Sequence, residues 1–120
     1  MLFLLEVEVE HPPSGSMVKF LERVVQEWDA FQRLQDRGKI LAGGKLSGRR
    51  GAAAILQVRG PEDADLLVAS LPLFPHFTRI SLTPLVDAEE ARGNARRLLA
   101  VARRMQPDAP SESPSSQERG

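Results

Sequence analysis

Apolar and polar positions alternate from Leu2 to Glu10, with Phe3, Leu5, Val7 and Val9 on one face and Leu2, Leu4, Glu6, Glu8 and Glu10 on the other. Successive strand side chains point to opposite faces, so this predicts a first strand with one buried side. His11-Pro12-Pro13 ends it, with His11 read as a turn residue, and Ser14 or Ser16 can cap the next helix. The period then changes. Met17, Phe20, Leu21, Val24, Trp28, Phe31 and Leu34 recur at helical spacing and form one apolar stripe over about five turns. Gly38 can take the positive φ that stops such a helix.

Ile40 to Leu46 and Ala52 to Arg59 read as two further strands, joined as a hairpin by Ser47-Gly48-Arg49-Arg50-Gly51. Gly43-Gly44 inside the first of them predicts a bulge or a close approach to the backbone. Gly60-Pro61-Glu62-Asp63 opens a second helix, with proline at its first position and carboxylates facing the positive end of the dipole. Its inner stripe is Ala64, Leu67, Val68 and Leu71. Leu71-Pro72-Leu73-Phe74-Pro75-His76 then forces a turn, because two prolines three residues apart cannot lie inside a helix. The turn is too apolar for a solvated loop, so it packs against a core or lines the mouth of a pocket. Phe77 to Leu85 alternates again and gives a fourth strand that carries Pro84.

The order β-α-β-β-α-β predicts an α+β fold, a ferredoxin-like antiparallel sheet with both helices on one face. Leu2 and Leu4 fall on the other, uncovered face. Covering that face calls for a second copy, so a homodimer or larger homo-oligomer, as a dimeric α/β barrel, is expected. After Leu85, Asp87-Ala-Glu-Glu90 reads as a capping box and the run to Met105 as an extra C-terminal helix. Its apolar positions are Ala91, Ala95, Leu98, Ala102 and Met105, beside Arg92, Arg96, Arg97, Arg103 and Arg104. Gln106 to Gly120 is rich in proline, serine and charge, which predicts disorder. The expected organisation is a ferredoxin-like domain over 1–86, a helix over 87–105 and a tail over 106–120.

Composition narrows the function classes. The chain has 120 residues, enough for one domain with a core. Sixteen basic and sixteen acidic residues cancel, so no global field recruits nucleic acid or an anionic membrane, and neither is an expected partner. Cysteine is absent, which removes disulfides and thiol chemistry and fits a cytoplasmic location. With two histidines in addition, no metal site is expected. Met1 to Leu5 is followed at once by Glu6, so it reads neither as a signal peptide nor as a membrane span. Ser47 and Ser70 have no evident base partners, and Gly43-Gly44-Lys45 lacks the remaining spacing of a phosphate loop.

Three segments carry a resemblance: Met1-Leu2-Phe3-Leu4, Leu34-Gln35-Asp36-Arg37-Gly38-Lys39, and Leu71-Pro72-Leu73-Phe74-Pro75 with a strand ending Thr83-Pro84-Leu85. In register, and over about Met1 to Leu85, the chain resembles the muconolactone Δ-isomerase family of aromatic catabolism. That resemblance implies a ferredoxin-like fold and a cofactor-independent isomerase that moves a double bond by general acid/base proton transfer. Such a reaction needs a base beside an activating carbonyl and positive groups for the developing enolate.

Glu27 is the candidate base, matching a glutamate that family members carry in the middle of this helix. It lies at the edge of the apolar stripe, where partial desolvation raises a carboxylate pKa; the other reading is a solvated partner of Arg23. Lys45 matches a basic position of the family strand and is the second catalytic candidate, with a cross-strand pairing to Glu6 or Glu8 as the alternative. Lys39 follows the helix-ending glycine as in the family, and either binds substrate or faces the helix dipole. Trp28, Phe31, Phe74 and Phe77 are candidate pocket walls or simple core, and His76 is a pocket-mouth proton shuttle or a turn residue. The chain departs from the family at Val24 and Ala30, where a lysine and a tyrosine are usual, and at Ala42-Gly43-Gly44, which replaces a bulkier stretch. These departures turn the expected substrate from muconolactone toward a larger, more apolar polyketide-like or terpenoid-like molecule. A non-catalytic ferredoxin-like binding or assembly module is the alternative function.

Overall fold

The alternating N-terminal segment forms the strand around which the sheet is built. The structure is a computed structural model and describes residues 1–10 and 16–107. The expectations for His11 to Ser14 and for the tail from residue 108 onward lie outside the described residues. The elements are β1 (Leu2–Val9), α1 (Met17–Asp36), β2 (Ile40–Lys45), β3 (Gly51–Gln57), α2 (Pro61–Ala69), a 3₁₀ turn at Phe74–His76, β4 (Phe77–Leu85) and α3 (Ala88–Met105). The strand order is β2-β3-β1-β4, antiparallel throughout, which is the ferredoxin-like arrangement.

Local chemistry sets the helix ends. Ser16 caps α1, its side chain accepting from Lys19 N–H at 3.2 Å. Gly38 ends it with φ +74°, while Lys39 N–H returns to Leu34 O at 2.9 Å. Pro61 begins α2, and Asp87 caps α3 by accepting from Glu89 N–H at 3.0 Å. The chain divides into two compact units, Met1–Leu85 and Val86 onward. In the second, Leu98, Val101 and Met105 of α3 are exposed.

The core of the first unit lies on the odd-numbered face of β1. Phe3, Leu5 and Val7 pack with Ile40, Ala54, Leu56, Ala64, Leu67 and Val68, and Leu56 is fully buried. Leu71 and Leu73 of the double-proline bend are also buried, so the bend packs inward. Met17 and Leu21 depart from the expected inner stripe and are each 51% exposed. Leu21 sits about 100° round the helix from Phe20, beyond the edge of the face that meets the sheet.

Two irregularities reassign faces. In β2 the register shifts between Ile40 and Ala42, so Ile40 pairs with Leu56, Gly43 with Ala54 and Lys45 with Ala52. Residues opposite one another share a face, so Leu41 is extra and Lys45 joins Ile40 on the helix-covered side. The bulge thus lies at Leu41, not at the glycine pair. In β4 the register shifts so that Val9 pairs with Phe77 and Glu8 with Arg79. Thr78 is the extra residue, and Phe77 turns inward with Leu82 despite its opposite parity.

Candidate active site

Small residues on β3 and large ones on α1 leave a hollow between sheet and helix. Ala52, Ala53 and Ala54 form its floor with Leu5, Val7 and Val9; Phe20, Val24, Glu27, Trp28 and Phe31 form its roof; Leu71, Leu73 and Phe77 close one side. The volume is about 170 Å³. A cavity of about 150 Å³ is enough for benzene, so this one admits a ring-sized guest. Gly43 permits the roof to come down at one end, because a Cβ there would stand 2.8 Å from the Phe31 ring.

Glu27 is the carboxylate of this chamber. It is half-buried, and its Oε1 accepts a hydrogen bond from Leu73 N–H at 2.9 Å. Burial raises its pKa above the ordinary value of 4.5, and the Leu73 bond opposes that rise without cancelling it. The Leu73 N–H is available because Leu73 caps the start of the 3₁₀ turn at Phe74–His76, ahead of the first N–H bonded within it. Glu27 does not pair with Arg23.

Lys45 lines the same cavity, brought there by the Leu41 bulge. Its Nζ donates to Leu46 O at 3.0 Å and Arg49 O at 2.9 Å, which clamps the β2–β3 turn. The expected partnership with Glu6 or Glu8 is not formed, since β2 borders β3 rather than β1 and Glu8 pairs with Arg49. Lys39 does not line the cavity. Its charge instead acts on Asp63, whose carboxyl is held low first by Arg59 N–H at 3.1 Å and to a smaller degree by Lys39.

The aromatic candidates separate. Trp28, Phe31 and Phe77 line the cavity, and the first two rings stand 5.3 Å apart in a tilted pair. Phe74 does not; it is 38% exposed and packs edge-on against Phe77. His76 is also outside the lining, with Nδ1 2.8 Å from Glu10 Oε1 and its ring edge-on to Phe20. Among the described residues, no cluster of three or more His, Asp or Glu could hold a metal ion. No described helix is long and apolar enough to cross a membrane.

A model of the muconolactone delta-isomerase family matches residues 1–91. The chain belongs to this family. Among solved structures, a muconolactone isomerase shares 25% identity, with 72% of this chain and 90% of that chain covered and a TM-score of 0.65. The 5-chloro-2-hydroxyhydroquinone dehydrochlorinase of Burkholderia phenoliruptrix, solved with 2,5-dihydroxybenzoquinone, shares 17% identity over 75% of this chain and 98% of that chain, with a TM-score of 0.59. At that identity the second likeness is one of fold. No curated protein sequence matches.

Apart from Glu27, Lys45 and Arg50, the chamber is lined by apolar side chains and Gly51. Val24, where the resemblance leads one to expect a lysine, is part of its roof. Sequence reasoning missed Arg50, which lines the cavity from the β2–β3 turn, and it missed the alanine floor that makes the hollow. The run Ala52-Ala53-Ala54 opposite an aromatic helix face was the available signal.

Proposed function

We propose that this member of the family is a cofactor-independent isomerase or cyclase that acts on a small organic molecule by general acid/base proton transfer through Glu27. The observation that carries this reading is a carboxylate of raised pKa lining a ring-sized apolar cavity, with one oxygen fixed by Leu73 N–H. Fixing Oε1 leaves Oε2 to work as the base. The Glu27 carboxylate takes a proton from a carbon next to the substrate carbonyl and becomes a carboxylic acid, leaving an enolate. Returning that proton two carbons away moves the double bond and restores the carboxylate, with no net change of oxidation state.

Lys45 stabilises the developing negative charge. An ammonium group has three donors, and two are committed to Leu46 O and Arg49 O, so one remains. Trp28, Phe31 and Phe77 supply an apolar wall that suits an unsaturated lactone, polyketide-like or terpenoid-like body. Lys39, Phe74 and His76 have no part in this scheme, because they stand outside the chamber. A non-catalytic module would ask for a filled interior and a solvent-facing Glu27; the hollow and the Leu73 bond support the enzymatic reading.

The same proposal takes the assembly to be a homodimer or larger. Leu2, Leu4, Ile55 and Leu85 are half-buried and Leu41 is 54% exposed, all on or beside the sheet face opposite the helices. The absence of cysteine supports a cytoplasmic location.

The test is proton exchange at carbon in D₂O, followed by ¹H NMR on a panel of unsaturated lactones that begins with muconolactone. Enzyme-dependent exchange or isomerisation that Glu27→Gln slows at least about 100-fold supports the proposal. Equal rates in the two proteins, or no exchange with any member, overturn it.

A further inference from the structure

Along β2 the wall of the chamber lacks a side chain. β2 is an outer strand of the sheet, and its residues on the helix-covered side are Ile40, Gly43 and Lys45, opposite Leu56, Ala54 and Ala52 of β3. Ile40 and Lys45 line the cavity, but Gly43 between them has nothing to contribute. Gly43 is also exposed, so an opening in the wall at this point would lead out to solvent.

Phe31 closes that opening from the helix. The tip of its ring, Cζ, stands 2.8 Å from where a Gly43 Cβ would be, so the ring occupies the place of the missing β2 side chain. It is held there by its neighbours. Trp28 tilts against it with ring centres 5.3 Å apart, and the buried core cluster packs against it as well. The wall therefore runs from Ile40 through the Phe31 ring to Lys45, and behind the ring lies only the backbone of an edge strand.

We propose that Phe31, seated on Gly43, is the size stop of the chamber and limits its guest to one six-membered ring or a body of that bulk, excluding fused two-ring molecules. The volume of about 170 Å³ fits that limit, since a cavity of about 150 Å³ already holds benzene. A second ring has no other way out. Ile40 is buried in the close-packed core, and a close-packed core does not yield to an extra ring. The depression beside Lys45 is formed by Glu8, Arg49 and Arg50 as well, and an apolar ring lying there would strip water from charged groups. Phe31 thus becomes the specificity-determining residue and takes no part in proton transfer.

The inference rests on the proposed role of the Glu27 chamber and narrows its substrate class to monocyclic molecules, but binding tests it separately from catalysis. The probes are neutral pairs, benzyl alcohol against 2-naphthalenemethanol and cyclohexanol against decahydro-2-naphthol, titrated into the full chain by calorimetry and amide-resonance shifts. Apolar area alone favours the larger member of each pair, so a reversed order is the mark of a closed wall. In the wild type the one-ring member should bind at least about tenfold more tightly than its two-ring partner, against the order that area sets. Phe31→Ala should restore the area order, Phe31→Leu should narrow the preference, and Ala52→Leu, which fills the hollow from its floor, should weaken all four probes. Urea unfolding shows which variants fold; if Phe31→Ala does not, Phe31→Leu and the wild-type order decide. Two-ring probes that bind the wild type as tightly as one-ring probes, a panel in which nothing binds, or a preference that Phe31→Leu leaves untouched overturns the proposal. A protein that shows the size order but exchanges no substrate proton refutes the isomerase reading and leaves the stop standing. One that exchanges protons in bicyclic lactones as fast as in monocyclic ones does the reverse.

Discussion

Glu27 Oε1 and Leu73 N lie 2.9 Å apart, a hydrogen bond that joins the middle of α1 to the bend between Pro72 and Pro75. The contact explains why an apolar bend and a helix-edge carboxylate belong to one site. Burial disfavours the charged carboxylate and the backbone donor favours it; burial is the larger effect, so the net pKa is raised. The result is a carboxylate that is oriented and more basic than a solvated glutamate.

Glu27→Gln should separate chemistry from folding. The amide oxygen can still accept from Leu73 N–H, but the side chain can no longer take up a proton, so activity should fall at least about 100-fold. Because the folded pKa is raised, the stabilising contribution of protonated Glu27 is fully present below the unfolded value of about 4.5. It is lost as pH rises through the folded pKa. At neutral pH the wild type therefore carries the cost of a buried charge, and Glu27→Gln should melt at the same temperature or higher. Below pH of about 4.5 that advantage should vanish. Thermal melts across pH check this, and a large loss of stability at neutral pH would show Glu27 to be a structural residue instead.

The pH dependence of activity carries its own sign. A base must be ionised, so kcat/KM should fall as pH drops through the raised Glu27 pKa, with the acid limb above the ordinary 4.5. A limb at or below that value would mean that the chamber loses its effect on the carboxylate when substrate is absent.

Gly43 and Gly44 are neighbours with opposite constraints. A Cβ on Gly43 would stand 2.5 Å from Ala53 O, 2.8 Å from Ala54 Cα and 2.8 Å from the Phe31 ring, whereas one on Gly44 meets nothing within 4 Å. Backbone of the neighbouring strand cannot yield cheaply, so Gly43→Ala should cost about 1–3 kcal/mol. Gly44→Ala should stay within about 1 kcal/mol of the wild type. Urea unfolding of both variants checks the contrast, and equal midpoints would refute the close approach.

The architecture was legible because periodicity changes at each boundary and the boundaries carry strong punctuation: Ser16, Gly38, Pro61, Pro72, Pro75 and Asp87. Side-chain facing was less legible wherever a bulge intervened. Counting by twos puts Lys45 with Leu41 and separates Phe77 from Leu82, and both inferences fail because Leu41 and Thr78 are extra residues in their ladders. The site shows the same division. Glu27, Trp28 and Phe31 follow from helical spacing, which nothing interrupts. Arg50 enters the chamber from a turn, where no period operates, and Lys39, Phe74 and His76 are near the right segments yet point elsewhere.

The sheet face away from α1 and α2 supplies the last test. Leu4 stands opposite Ile55 on β3 and Thr83 on β4, and Leu2 opposite Leu85, so apolar side chains run across three strands on the side away from α1 and α2. Water against such a surface is unfavourable by roughly 25 cal/mol for each Å² of apolar area, and a second copy seated there would remove it. Light scattering should give a mass of at least twice the 13.2 kDa chain. Leu4→Lys places a charge in the middle of the face and should shift the mass toward that of one chain. Leu66→Lys, on α2 at a position already 66% exposed, should leave it unchanged. A wild-type protein that scatters as a single chain, or a Leu4→Lys variant that assembles as before, would place the contact between copies elsewhere or remove it.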